Sequence, residues 1–398
     1  MSPKAFVLYA LVLSVAPASA EALAGLWDAT ITVNSSPIPF QFELAGDGDH
    51  VSGSFFNGDD KLTSTSGRFD GALLTLSWDY YASKLEATLK DGVLEGTYTR
   101  AGRQRSGPLA FKAKRAAMPD VSAKQGPSIA GLWEIPAKST KGEAAWRFIV
   151  QQRGVRTTAA ILRVDGDTGA FTGAYQDGRF ILSHFDGARS GRMEVTILDD
   201  GALEIVSGGD RIIARRPEDA RTKGLPEPTD PTRHTSVKNA EEPFAFSCPD
   251  LDGHVVSNTD PRFEGKAVLI NITGSWCPNC HDEAPFLAAL YKQLRARGLE
   301  IVALSFEESD QLRNPTRLRA FVKKYGIEYA MLLCGEPGEA TERLSQAVNW
   351  NSWPTTFFVD RQGIVQGVHA GFPSSASGQL YVQTKEEFNA RVEELLGK

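Results

Sequence analysis

The run Ala267–Ile272 (AVLINI) followed by Trp276–Cys280 (WCPNC) decides the fold of the C-terminal part of this chain. The first run is continuously apolar apart from one Asn and is bounded by polar residues, which is typical of a buried strand. A helical pattern follows over residues 277–297. The sequence therefore places two cysteines, spaced C-x-x-C, where a strand passes into a helix.

This position has a chemical consequence for the two thiols. The start of a helix carries unpaired N–H groups and partial positive charge, which favour an anion there. We therefore expect Cys277 to exist readily as a thiolate and to attack a disulfide of another molecule. Cys280, one turn later, is expected to lie closer to the core and to resolve the mixed disulfide. Trp276 is expected to shield the pair on one side.

The sequence on both sides of this junction alternates between strand and helix patterns. Further strands are predicted at 300–305 and 329–333, a hairpin at 355–368 turning at 361–363, and helices at 318–325 and 339–348. Thr384 and Glu387 form a capping-box pair that predicts the start of the last helix. This alternation is typical of a three-layer α/β domain.

Three motifs together resemble the thioredoxin superfamily, and specifically its TlpA/ResA-like branch of exported oxidoreductases. They are Phe246-x4-Leu251-Asp252-Gly253, the CPNC motif followed by Glu283-x-Pro285, and Pro354-Thr355-Thr356-Phe357. The sequence departs from the usual pattern at Trp353, which is bulkier than the residue common before that proline. Thr273-Gly274-Ser275 also replaces the more common run before the first cysteine.

The resemblance implies thiol–disulfide exchange on exported proteins, most often in the reducing direction. It implies that Cys277 is the nucleophile, that Cys280 resolves the mixed disulfide, and that the two cysteines form a redox disulfide. By the same resemblance Glu283 modulates proton affinity and Pro354 is a cis proline that helps to dock an extended substrate. It also implies protein disulfides as substrates, an electron donor in the membrane and no cofactor.

The N-terminal half reads as antiparallel strands, because short alternating runs are separated by Gly, Asn and Asp turns. It also repeats itself: Ala24–Trp27 (AGLW) recurs at Ala130–Trp133. This predicts an all-β region of two related units, built either as barrels or as a sandwich. The expected divisions are a signal peptide at 1–20, β units at 21–115 and 128–216, an extended Pro-rich linker at 217–242, and a thioredoxin-like domain at 243–398.

The first twenty residues predict export. Lys4 precedes an apolar run, and Ala18-Ser19-Ala20 is a small-x-small cleavage pattern. The run is too short to span a bilayer comfortably, so no transmembrane span is expected in the mature chain, which we place in the periplasm or another exported compartment. The formal net charge of −6 and mean hydropathy of −0.25 are ordinary for a globular protein and give no indication of nucleic-acid binding.

The remaining cysteines and several rival functions stay open at this stage. Cys248 and Cys334 are either a structural disulfide or two free thiols, and a zinc site that uses them lacks the usual spacing. Cys280-His281 completes the C-x-x-C-H pattern of haem attachment, although His281 is more readily a solvated neighbour that tunes the pair. No metal site is expected. A binding or scaffold protein with a redox sensor, and a thiol peroxidase, are the alternative functions.

Overall fold

The computed structural model describes residues 23–47, 50–102, 106–117 and 125–397. The predicted signal peptide lies outside these residues. Within the described ranges, no helix combines the length and apolar character needed to cross a membrane.

The first β unit is a nine-stranded antiparallel sheet in which eight strands close into a barrel and β4 pairs only with β3. Its sheet runs β2-β1-β9-β8-β7-β6-β5-β3-β4, and an additional pairing between β2 and β3 closes it. Alternate residues point inward and fill the interior with rings such as Trp27, Phe42, Phe55, Trp78 and Tyr98. The barrel is therefore a packed core. Its strands are β1 Gly25–Val33, β2 Ser36–Asp47, β3 His50–Asn57, β4 Asp60–Thr63, β5 Ser66–Phe69, β6 Leu73–Trp78, β7 Ser83–Lys90, β8 Val93–Arg100 and β9 Ser106–Arg115.

The second β unit is a barrel-like antiparallel sheet with a separate apolar core. Glu134 and Arg215 exchange two backbone hydrogen bonds, of 2.7 and 2.9 Å, and so bring the first and last strands together. The two-residue strand β13 lies off the main path and pairs with β12. The strands are β10 Gly131–Pro136, β11 Ala145–Arg153, β12 Arg156–Arg163, β13 Gly166–Asp167, β14 Phe171–Gln176, β15 Arg179–Phe185, β16 Ser190–Ile197, β17 Leu203–Ser207 and β18 Asp210–Ala214.

The repeated AGLW sequence forms the same local structure in both units. The Trp27 indole donates to the carbonyl of Leu23 at 2.9 Å, and an arginine from the last strand, Arg115, lies 4.8 Å from the ring centre. The Trp133 indole likewise donates to the residue four positions earlier, at 2.8 Å, and Arg216 lies 3.8 Å from its ring. Both tryptophans are buried. The prediction of two related β units is therefore confirmed, and the barrel form is the one adopted.

The segment 217–242 differs from the extended, exposed linker that its prolines suggested. It contains the short helices α1 Pro217–Thr222 and α2 Pro231–His234, each with proline at its first position, where proline's missing N–H costs no hydrogen bond. The strand β19 Ser236–Val237 then pairs with β25 Ala347–Val348. His234 is buried and its Nε2 lies 2.7 Å from the Asn351 side chain. The segment is therefore packed against the C-terminal domain.

The C-terminal domain is built on a five-stranded mixed sheet in the order β24-β23-β22-β26-β27. The three strands β22 to β24 are parallel, and β26 and β27 add an antiparallel hairpin. A smaller hairpin of β20 and β21 precedes them. The strands are β20 Ser247–Pro249, β21 Val255–Ser257, β22 Ala267–Thr273, β23 Leu299–Ser305, β24 Ala330–Leu333, β26 Thr355–Val359 and β27 Val365–Ala370. The α/β prediction for this domain is confirmed.

The helices at 278–294, 316–325 and 379–397 cover one face of this sheet, and the β20–β21 hairpin and the short helix at 340–343 lie on the other. Two predictions were wrong in detail. The pattern at 339–348 gives only one short helix before β25, and Thr384 lies inside the last helix, where its hydroxyl donates to the carbonyl of Leu380 instead of capping. The helices are α3 Pro278–Leu294, α4 Ser309–Arg313, α5 Thr316–Tyr325, α6 Ala340–Arg343 and α7 Gln379–Gly397, with 3₁₀ turns at Asp79–Tyr81, Pro261–Phe263, Arg295–Arg297 and Ser375–Ser377.

Candidate functional site

Cys277 lies at the N-terminal end of α3, shortly after the central strand β22. It is the N-cap residue, and its Sγ accepts a hydrogen bond from the backbone N–H of Cys280 at 3.3 Å. The sulfur thus partners one of the N–H groups that the start of a helix leaves without a backbone acceptor. Pro278 follows at the first helical position, where proline is favoured. Both cysteines are free thiols in this structure.

Cys280 and Glu283 are two buried acids on the same helix. Burial, together with the adjacent Cys277, raises the pKa of the Cys280 thiol well above its usual value. The Glu283 carboxylate accepts hydrogen bonds from Asn271 Nδ2 at 2.7 Å and from Thr356 Oγ1 at 2.8 Å. Burial raises the pKa of Glu283 to about 7, against the lowering effect of these two bonds. A carboxyl group with such a pKa can both accept and release a proton near neutral pH.

A buried ion pair holds the loop that precedes the cysteines. Glu307 is fully buried and accepts from the Ser275 N–H at 2.6 Å and from the Ser275 hydroxyl at 2.7 Å. Arg317 donates to Glu307 at 2.6 Å and to the Ser275 hydroxyl at 2.7 Å. Each charge is therefore paired and hydrogen-bonded, which a buried ion requires. The network fixes the backbone two residues before Cys277.

His281 is not the solvated neighbour that the sequence suggested. It is 3% exposed, its ring lies 4.1 Å from that of Tyr81, and burial lowers its pKa to about 3. Its Nε2 lies 2.9 Å from the carbonyl of Ser275, which can only accept, so Nε2 carries the proton. Its Nδ1 then accepts from the Tyr325 hydroxyl at 2.9 Å. Tyr81 covers this histidine because the first barrel packs against the C-terminal domain.

Aromatic side chains surround the pair of sulfurs. Trp276 is buried against the two cysteines, and its indole donates to the carbonyl of Phe306 at 2.9 Å. Trp353 packs edge-on to Trp276 with ring centres 5.2 Å apart. The Trp353–Pro354 peptide bond is cis, and the carbonyl of Pro354 accepts from the N–H of Gly371 at 2.7 Å. The Pro354 turn therefore lies beside the loop that follows β27.

Both sulfurs are enclosed, whereas the sequence suggested that Cys277 would be reachable. Cys277 is 3% exposed and Cys280 is 1% exposed. Arg100, the last residue of β8, donates to the carbonyl of Trp276 at 2.8 Å and to that of Ala188 at 3.2 Å. The first barrel therefore contacts the residue next to Cys277 and at the same time holds a loop of the second barrel. The enclosure arises because the barrels dock on the redox motif.

The second barrel also contacts the motif directly. Asn279, between the two cysteines, donates to the carbonyl of Asp165 at 2.6 Å. Arg189 donates to the Asn279 side-chain oxygen at 3.1 Å, to Asp282 at 2.8 Å and to Asp186 at 2.8 Å. Burial raises the pKa of Asp282 to about 7, while Arg189 lowers it. The motif therefore lies in a polar interface between domains.

Sequence reasoning missed these partners because nothing in a single sequence joins them to the cysteines. Arg100 lies 176 positions from Trp276, and Arg189 lies 90 positions from Asn279. Each looks like an ordinary charged residue at a strand end. Only the docking of the barrels brings them to the site.

Cys248 and Cys334 form a disulfide that ties β20 to the end of β24, with Cα atoms 5.1 Å apart. This disulfide is distant in sequence from the redox motif. It lies in the apolar cluster on the face of the sheet opposite α3. Within the described residues, no group of three or more His, Cys, Asp or Glu side chains is placed to hold a metal ion.

Comparisons with known proteins find relatives of the C-terminal domain. Residues 240–368 match the model of the AhpC/TSA family. The chain is 31% identical over 134 residues to the thiol-disulfide oxidoreductase ResA of Bacillus cereus (strain ATCC 10987 / NRS 248), which covers 34% of this chain and 70% of that protein. It is 29% identical over 136 residues to ResA of Bacillus subtilis (strain 168), covering 34% and 69% respectively. A solved thiol:disulfide interchange protein, a thioredoxin family protein from Chlorobium tepidum TLS, aligns with a TM-score of 0.31 and 26% identity over 40% of this chain and 99% of that one.

The match to the two ResA proteins covers about a third of this chain. Activity as a protein-disulfide oxidoreductase follows from that match together with the pair of free cysteines at the helix start. Through its C-terminal domain, this chain belongs to the ResA-like thiol-disulfide oxidoreductases of the thioredoxin superfamily.

Proposed function

We propose that this protein is exported and reduces disulfides of other proteins through Cys277 and Cys280. The assignment of roles rests on the asymmetry of the two sulfurs. Cys277 caps the helix start, which stabilises negative charge, while the burial of Cys280 keeps its thiol protonated. Cys277 is thus placed to attack the client disulfide, and Cys280 stays protonated until the second step. This asymmetry is the observation that carries the proposal.

The reaction runs in two exchange steps. The Cys277 thiolate attacks one sulfur of the client disulfide, forms a mixed disulfide and releases the client's other sulfur as a thiolate, which takes up a proton. The Cys280 thiol then loses its proton, and its thiolate attacks the Cys277 sulfur. The second client sulfur leaves, and Cys277 and Cys280 end as a disulfide. Two electrons have passed to the client.

Glu283 is the residue we assign to the second step as a proton acceptor. The raised pKa of Cys280 makes loss of its proton the difficult event, and a carboxylate with a pKa of about 7 on the next turn of the helix is suited to accept it, directly or through water. Trp276 and Pro354 are assigned to the walls of the client site. A membrane protein is the proposed source of the electrons that reduce the pair again.

Insulin reduction by the purified chain tests the assignment. Cys277→Ala should abolish the activity, and Cys280→Ala should leave a mixed disulfide between Cys277 and the client that mass spectrometry detects. Cys248→Ala with Cys334→Ala is the matched control, because it removes the other two sulfurs and should retain turnover. Activity that survives in the Cys277→Ala variant would overturn the proposal.

The direction of transfer is tested by the redox state of the pair in its own compartment. Rapid acid quenching of cells, followed by alkylation and mass spectrometry, should find Cys277 and Cys280 mainly as thiols if the protein is a reductase. A pair found mainly as the disulfide would make the protein an oxidant. Fractionation of the cells in the same experiment tests export.

A further inference from the structure

The segment 164–167 of the second barrel lies on the thioredoxin-like domain beside the redox motif. Gly166 forms a parallel β-bridge with Phe372, in the loop that follows β27. The carbonyl of Asp165 accepts from the Asn279 side chain, between the two cysteines, at 2.6 Å. The tip of the β12–β13 hairpin, with its turn at Val164–Asp165, therefore lies on the surface between the CPNC motif and the loop beside Pro354.

The side chain of Asp167 fixes this segment in place. It is fully buried, and one of its oxygens accepts from the N–H of Ser374 at 2.6 Å. Its carboxylate also accepts from the hydroxyls of Ser374 and Ser377, at 2.9 and 2.7 Å. A carboxylate that receives three such donors from the opposite domain is well compensated for its burial. The contact is thus specific in both backbone and side chain.

The two backbones meet at glycines. Gly166 has φ +116°, and a Cβ there would lie 2.4 Å from the carbonyl oxygen of Phe372 and 2.7 Å from the Asn279 amide. Gly371, on the facing loop, has φ +71°, and a Cβ there would lie 2.2 Å from the carbonyl oxygen of Val164. Neither contact leaves room for a side chain. The absence of a side chain at both positions is what lets the segment approach so closely.

We propose that the segment 164–167 is a built-in competitor of the client: it covers the surface formed by Asn279, Phe372, Ser374 and Ser377, beside the cis proline where the client is expected to dock, and so holds the dithiol closed. An extended peptide that pairs with a free backbone edge is a common mode of recognition, and the bridge of Gly166 to Phe372 occupies a backbone position that such a peptide could use. The inference rests on the proposed function and adds to it a client surface and a built-in competitor. A client must displace this segment before its disulfide can react with Cys277.

Cys277 is only 3% exposed in an enzyme whose proposed substrates are proteins, so the closed state has to open during turnover. If the open form is a minor state, populated at about 0.1–10%, then release of the segment raises the reactivity of Cys277 by about 10- to 1000-fold. The reactivity of a thiol in the folded protein is therefore the direct measure of the closed state. It does not depend on which client the protein meets in the cell.

The test uses the full-length reduced protein and a single substitution, Gly166→Ala. The added methyl group strikes Phe372 and Asn279 and should push the segment off the surface. Gly178→Ala is the matched control, because Gly178 lies in the same barrel with φ +85° and a Cβ there meets nothing within 4 Å. Iodoacetamide alkylation of Cys277, followed over time by peptide mass spectrometry, gives the rate. We expect a rise of about 10-fold or more for Gly166→Ala, corresponding to a minor open state, and no rise for Gly178→Ala.

Two further measurements decide the outcome. Insulin reduction should rise with the alkylation rate in Gly166→Ala, and Asp167→Asn, which weakens the contact to Ser374 and Ser377 without adding bulk, should move both rates in the same direction. If Gly166→Ala does not fold, the Asp167→Asn variant carries the test. Equal Cys277 rates in the wild-type protein and a folded variant would overturn the closed state. That result is distinct from failure of the redox assignment, which would instead show as insulin reduction that survives in Cys277→Ala.

Discussion

Replacing Glu283 by glutamine should change how the stability of the protein depends on pH. The carboxyl is 1% exposed, and burial raises its pKa from an ordinary value of 4.5 to about 7. The folded state therefore binds the proton more tightly than the unfolded state, so the wild-type protein loses stability as the pH rises from about 4.5 through 7. A difference of about 2.5 pKa units corresponds to roughly 3 kcal/mol, most of it lost between pH 5 and pH 8.

Glutamine cannot ionise, so the Glu283→Gln variant should not show this loss. Urea unfolding followed by tryptophan fluorescence, at pH 5 and pH 8, gives the free energy of unfolding of each protein. Relative to the wild type, the variant should gain roughly 2–3 kcal/mol between the two pH values, whatever constant cost the amide imposes at Asn271 and Thr356. Glu386→Gln, at an exposed position of α7, is the matched control and should follow the wild type. A variant that loses stability with pH as steeply as the wild type would refute the argument that Glu283 is protonated near neutrality.

Three further outcomes follow from the contacts around the site. Arg317→Ala leaves buried carboxylates without their cation and should lower the free energy of unfolding by about 3–5 kcal/mol, whereas the exposed Arg343→Ala should change it by no more than about 1 kcal/mol; urea titrations compare them. Cys248→Ala with Cys334→Ala removes a cross-link between residues 86 positions apart and should cost about 2–4 kcal/mol in the same assay. The ring of His281, whose pKa burial lowers to about 3, should stay neutral from pH 5 to pH 8, which nitrogen chemical shifts in NMR spectra check; titration in that range would contradict its buried position.

Local sequence patterns predicted the parts of the fold that local physics controls. The apolar run of β22 and the proline at the start of α3 mark a buried strand and a helix start wherever they occur, so the position of Cys277 at that junction could be predicted. The AGLW repeat predicted two related units, since each tryptophan bonds to a carbonyl only four positions earlier. Predictions failed where tertiary contacts determine the local structure. The prolines at 217 and 231 begin helices because the segment packs on a neighbouring domain, and Thr384 lies within a helix that begins earlier, at Gln379.

The immediate surroundings of the cysteines could be predicted only in part. Glu283 could be predicted because it lies three residues after Cys280, and Pro354 because it belongs to a motif of the family. Both lie at the candidate site. The enclosure of the sulfurs could not be predicted, because it depends on how three folded units dock. His281 shows the difference: its neighbours in sequence suggest a solvated helix start, yet Tyr81 of the first barrel covers it. Docking surfaces of this kind carry no short-range pattern.

The contacts between the two barrels and the thioredoxin-like domain indicate which part of the molecule can move away from the redox motif. The apolar core of the first barrel continues into that domain, so separating the two would expose apolar surface at about 25 cal/mol for each Å². The second barrel has its own core and meets the CPNC helix through the ion pair of Arg189 with Asp282, while its Ala160 and Ala170 pack against Ala376. Buried ion pairs recover much of their solvation when they separate, so they fix geometry while adding little net stability. The segment 164–167 itself meets the thioredoxin-like domain through hydrogen bonds from Asn279, Ser374 and Ser377. The rest of the second barrel is held by the first, because Tyr98 and Arg100 donate to the carbonyls of Gly187 and Ala188. For that reason we assign the opening movement to the segment and not to the whole second barrel.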